Sequence, residues 1–104
     1  MQKKIFILNI PYKICEDYTF EELGGRQGLF DSVRQTIYIA QELEPEAKRY
    51  TLIHEVIEAV NYHLELNLEH RQITGIEVGF FTFLEGFITH PQLSDETIDL
   101  ILPE

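Results

Sequence analysis

Within the run Tyr50 to Leu66, YTLIHEVIEAVNYHLEL, the pentapeptide His54-Glu55-Val56-Ile57-Glu58 carries residue types that hold metals and move protons. On a helix advancing about 100° per residue, His54 and Glu58 lie one turn apart on a stripe shared with Asn61 and Glu65. An imidazole and a carboxylate so placed can aim at a common cation. Glu55, next to the histidine, then suits a general base toward water at that cation. The strong form of the motif is His-Glu-x-x-His, and here Glu58 stands where the second histidine would be. The same letters also spell an acidic strip on an amphipathic helix, which has no chemical meaning.

The helix that carries these groups places Tyr50, Ile53, Val56, Ile57, Val60 and Leu64 on one stripe, the spacing of a buried face. It starts at Glu44-Pro45-Glu46, with proline tolerated in a first turn and acids favourable at the positive helix end. Asn67 and Leu68 break it. A second core helix is expected from Glu69 to about Phe87, with Ile73, Ile76, Phe80, Phe83, Leu84 and Phe87 on its apolar face. Gly75 and Gly79, four apart, would permit close packing there.

Glu77 falls inside that apolar stripe, between the directions of Ile73 and Phe81. A carboxylate turned toward a core must be neutralised, paired or bound to a cation. If the two helices form an antiparallel pair, its neighbours are His54 and Glu58, and three ligands from two helices with a fourth position open is how a catalytic zinc is held. Bland alternatives stand beside each residue. His54 fits a core-edge histidine bonded to a carbonyl, Glu77 fits a partner for Arg71 or Lys48, and Glu55 fits ordinary solvated charge. His70, on the same side as Glu77, competes as third ligand or is a surface residue. His63 points elsewhere and His90 reads as loop.

The rest of the chain reads as a small sheet. Lys4 to Asn9 and Tyr12 to Glu16 form a hairpin joined at Ile10-Pro11, and Asp17 to Gly28 is a loop with a short turn at Phe20-Leu23. Gly24, Gly25 and Gly28 lack the lysine and helix of a phosphate loop. Leu29 to Asp31 and Gln35 to Ala40 form a second antiparallel pair turned at Asp31-Ser32, with a sheet edge expected at Gln35 to Ala40. The class is therefore α+β: an antiparallel sheet of about four strands packed on the motif helix and a second core helix. Residues 1–104 make one domain with its core at about 4–87. The extension 88–104 holds an N-cap at Ser94 and a last short helix ending at Pro103.

Eight basic against eighteen acidic residues give a net charge of −10, which repels phosphate backbones and anionic lipid. Nucleic-acid and membrane-surface roles are thereby disfavoured, with mimicry of nucleic acid a minor option. A protein or peptide partner remains. The lone Cys15 reads as a small buried hydrophobe in a reducing cytosol. Ile5 to Leu8, after two lysines, is too short for a signal core or a membrane span.

Taken together, QTIYI at Gln35 to Ile39, TLIHEVIEAVNYHLELNL at Thr51 to Leu68, QITGIEVGFFTFL at Gln72 to Leu84 and the leading IFILNIPYKI resemble small phage and prophage proteins related to the ImmA/IrrE metallopeptidases, minimal gluzincins. The resemblance covers about residues 4–87. It implies a zincin-like fold, with His54 as first ligand, Glu55 as general base and Glu77 as the glutamate ligand from the following helix. This sequence departs from the family at Glu58. If Glu58 is itself a ligand, the His54, Glu58, Glu77 set is harder than the usual one and shifts preference from zinc toward manganese or iron. Otherwise the site is degenerate, binds no metal, and the fold serves as an acidic, catalytically silent protein-binding module. In the first case the chain is a metal-dependent peptidase whose substrate lies extended along the Gln35 to Ala40 edge.

Overall fold

A computed structural model describes residues 3–89. The order of elements is β1 (Lys3–Ile7), β2 (Ile10–Cys15), β3 (Gly28–Asp31), β4 (Thr36–Ile39), α1 (Pro45–Leu64) and α2 (His70–Thr89). The class is α+β, as the patterning indicates. The extension's N-cap at Ser94, its short last helix and His90 lie outside the described residues.

Two features of the sheet differ from the expectation of an all-antiparallel arrangement. The strands run in the order β1-β2-β4-β3, and β2 pairs with β4 in parallel, Ile14 opposite Ile37, so the sheet is mixed. The loop from Glu16 to Gln27 makes this possible, since it carries the chain from the end of β2 past β4 to begin β3 on the far side. Gly24 and Gly25 there adopt φ of +69° and +82°, which only glycine takes without strain. As a result β4 is interior, hydrogen-bonded on both sides, and Gln35 to Ala40 is not a sheet edge. The edges are β1 and β3.

The first hairpin also turns elsewhere than expected. Ile7 pairs with Ile10, and Leu8 and Asn9 form the turn with φ of 52° and 63°. Two left-handed residues match the right-handed twist of a two-residue hairpin. Pro11 lies within β2 opposite Phe6, where antiparallel alternation next to the closing pair requires no donor toward β1. Proline therefore did not mark the corner.

One face of the sheet packs on α1. Ile7, Tyr12, Ile14, Ile37 and Ile39 meet Ala59, with Leu52, Val56 and Val60 of α1 and Phe30 of β3 at the margin. The most buried row of α1 is Thr51, Glu55 and Ala59, not the Tyr50 to Leu64 stripe. This row faces the strands, with the small Thr51 and Ala59 on either side of Glu55, so burial follows proximity and not hydrophobicity. Tyr50 turns instead to α2, where its ring stacks on Phe81 with centroids 3.7 Å apart. Leu64 is exposed.

Among the described residues α2 packs on α1 alone and touches no strand. One row is all it can bury, and that row is Ile73, Glu77 and Phe81; Ile73 is 2% and Phe81 5% exposed. Ile76, Phe80 and Phe83, expected in the core, are exposed. Among the described residues nothing lies within 4 Å of a β-carbon built at Gly75 or Gly79, so neither serves a close contact with α1. Cys15 is buried and unpaired at the end of β2. No helix among the described residues is long and apolar enough to cross a membrane.

Candidate metal centre

The helical hairpin is built from its connection outward. α1 ends where Glu65 adopts left-handed backbone, its N–H bonded to the carbonyls of Asn61 and Tyr62. Asn61 Oδ1 accepts the Leu68 N–H at 2.9 Å, and Gln72 Oε1 accepts the Glu69 N–H at 2.8 Å, closing the start of α2. Contacts of Tyr50 with Phe81 and of His54 with Glu77 make the two helices antiparallel. The Asn61 stripe thus divides, with His54 and Glu58 in the site and Asn61 holding the turn that brings α2 back to them.

His54 is the hub. Its Nδ1–H donates to Glu77 Oε1 at 2.7 Å, and its Nε2 lies 3.4 Å from Glu58 Oε2. Glu77 therefore pairs with His54, whereas Lys48 pairs with Glu16 and Arg71 approaches Glu69. A neutral imidazole that donates from Nδ1 presents a lone pair at Nε2. That lone pair faces a carboxylate oxygen. At 3.4 Å, one helical turn apart, both atoms are placed where a single cation could bind them.

A third donor completes the set. The ring of His70 lies 5.2 Å from that of His54, and one ligand atom each from His54, Glu58 and His70 falls within a 4.8 Å span. Tetrahedral zinc with bonds of about 2.0–2.1 Å separates its ligands by about 3.3 Å. The His54–Glu58 pair already meets that spacing, and His70, exposed on the first turn of α2, lies within 4.8 Å of both. Two imidazoles and one carboxylate suit zinc. Glu77 occupies the opposite nitrogen of His54, outside this cluster, so among the described residues the grouping with metal-binding spacing has His70 where the sequence suggested Glu77.

Glu55 sits between this cluster and the sheet, 8% exposed. Burial pushes its carboxyl up to about 7; Glu58 and Glu77 add to the rise, and His54 and Arg26 oppose it. Its carboxylate lies beside Gly28 of β3. A β-carbon there would stand 2.5 Å from Thr51 Cγ2, 2.9 Å from the Tyr38 carbonyl oxygen and 3.2 Å from Glu55 Oε2. Gly28 thus keeps the edge strand against the buried row of α1.

Beside these residues opens a cleft of about 640 Å³, walled by Arg26 to Phe30 on one side and by Thr51, His54, Glu55, Glu58, His70, Thr74 and Glu77 on the other. The strand wall is β3, which among the described residues is an edge of the sheet and pairs with β4 alone. Gly28, Thr51 and Arg26 were not evident in the sequence, because their role depends on β3 lying beside α1. His63 lies apart from the cleft, hydrogen-bonded through Nε2 to the buried Tyr12 hydroxyl.

Comparison with protein-family models, with curated proteins and with solved structures returns no match.

Proposed function

We propose that this chain is a minimal metal-dependent peptidase of gluzincin type whose metal donors are His54, Glu58 and His70. The observation that carries the reading is the arrangement around His54: a carboxylate on each ring nitrogen, with Nε2 and Glu58 at a ligand-to-ligand spacing and a second imidazole beside them. The resemblance of the sequence to ImmA/IrrE-related proteins supports it. The donor set would be that of a two-histidine, one-glutamate site with places exchanged, the acid coming from α1 and the second imidazole from α2. Glu77 would then fix the tautomer and orientation of His54 from the far nitrogen. Because two imidazoles remain, zinc is favoured over the manganese or iron that a His54, Glu58, Glu77 set would prefer.

A divalent ion held there would supply Lewis acidity to water and a carbonyl in the cleft. The protein's own groups do the remaining work. Glu55, within the cleft and poised near neutrality, accepts a proton from water and returns it to the leaving amine. The unpaired side of β3 offers backbone donors and acceptors to an extended peptide. The substrate edge is therefore β3, in place of Gln35 to Ala40.

Metal analysis tests this directly. Zinc is expected at one ion per chain; His54→Ala abolishes it, His70→Ala weakens it strongly, and Glu77→Gln lowers affinity roughly 10–100-fold while leaving stoichiometry intact. Failure to bind zinc, manganese or iron stoichiometrically would end the proposal. Glu55→Gln is expected to keep the metal and lose peptide hydrolysis.

The exposed apolar residues Ile76 and Phe80 favour a second reading, an acidic protein-binding module in which a protonated His54 bridges Glu58 and Glu77 without metal. In that case Glu58→His would create metal binding absent from the native chain.

A further inference from the structure

Among the described residues Arg26 is the one lysine or arginine that lines the cleft, and, like Lys3, Lys4, Lys13 and Arg49, it has no ion-pair partner within 4 Å. It is exposed, lines the cleft, and follows Gly24 and Gly25, whose left-handed backbone turns the chain into β3. Its charge reaches Glu55. An arginine left unpaired in a chain with eighteen acidic residues, at the mouth of a cleft, has its five donors available to a ligand.

Gly28 marks where β3 passes Glu55, and Arg26 and Gln27 form the bend that leads into it. Arg26 therefore lies at the end of the cleft where β3 begins, and a peptide lying beside β3 reaches it there. The planar fork matches a carboxylate in a bidentate pair, and the cleft supplies no other lysine or arginine to hold one. Glu55, Glu58 and Glu77 also line the cleft and oppose an anion, an opposition that a divalent ion between His54 and Glu58 would reduce.

We infer that Arg26 forms a carboxylate-binding subsite, selecting peptides with a carboxylate, terminal or on a side chain, at the end of the cleft where β3 begins. The peptide nature of the ligand rests on the proposed function; the carboxylate preference rests on Arg26.

The test uses three matched fluorescent peptides: one with a free C-terminus, one amidated, and one amidated with glutamate at the penultimate position. Each is titrated by anisotropy against the full chain, with zinc and with chelator, as wild type, Arg26→Gln and Arg26→Lys. The wild type is expected to bind a carboxylate peptide about tenfold or more tightly than the plain amide. Arg26→Gln abolishes the difference, Arg26→Lys keeps part of it, and zinc affinity is the same in all three proteins. Preference for the free C-terminus alone assigns a terminal carboxylate, and preference for the glutamate peptide assigns a side chain. Equal binding of all three peptides by the wild type, no binding of any, or a preference that survives in Arg26→Gln overturns the inference. A chain that takes up no zinc yet keeps the Arg26-dependent preference refutes the metallopeptidase reading and leaves the subsite standing.

Discussion

At Glu55, catalytic use and stability pull in opposite directions. Its folded pKa, about 7, lies above the ordinary carboxylate value because burial disfavours the charge. An acid whose pKa rises on folding is held more readily as the neutral form, so folding is unpenalised below the unfolded value. Stability falls as pH rises through the interval from about 4.5 to about 7 and levels off above it. The loss is on the order of 3 kcal/mol, since each tenfold gain in proton affinity on folding is worth about 1.4 kcal/mol. Thermal unfolding in chelator should therefore show Glu55→Gln matching the wild type near pH 4.5 and exceeding it at pH 8. A parallel pH profile for the two proteins would show that the carboxyl is not held in this way. His54 and Glu58 were legible from their spacing alone, and Glu77 from an acid falling on an apolar stripe. His70 was visible only as a competitor, since nothing in its local sequence says that the helix turns its first residues toward His54.

Among the elements, the edge strand and the first hairpin make separable predictions. Gly28→Ala places a β-carbon against Thr51 and the Tyr38 carbonyl, neither of which is the far end of a flexible chain. A cost of about 1–3 kcal/mol is expected, with β3 displaced from Glu55, readable by chemical denaturation and by loss of peptide binding. Replacing Leu8-Asn9 by Asn-Gly (L8N/N9G) keeps the left-handed turn with residues that adopt it freely. Stability should rise by about 1 kcal/mol without altering zinc affinity. The strands and helices themselves were evident from alternation and helical periodicity. Their partners were not: local patterning carries no record that β2 lies parallel to β4, and Ile10-Pro11 resembles a corner although proline is harmless at that place in β2. The buried row Thr51, Glu55, Ala59 was hidden for the same reason, its residues being small or polar where a hydrophobic stripe was available beside it.

On the scale of the whole molecule, the charge of −10 and the arrangement of layers set the behaviour. Self-repulsion among surplus carboxylates destabilises the compact state, so adding a monovalent salt from low concentration to about 0.5 M should raise the melting temperature at pH 7, where the Debye length falls below about 5 Å. The sheet and α1 share one core, whereas among the described residues α2 is attached through α1 and the segment 65–69. His54 and Glu58 ride on the anchored part, His70 and Glu77 on the attached one. An ion gripped by both would act as a rivet between a rigid body and its outrigger. Amide exchange along α2 should then slow by orders of magnitude on zinc addition while β2 and β4 exchange as before, and the second helix would report loading even where no substrate is known.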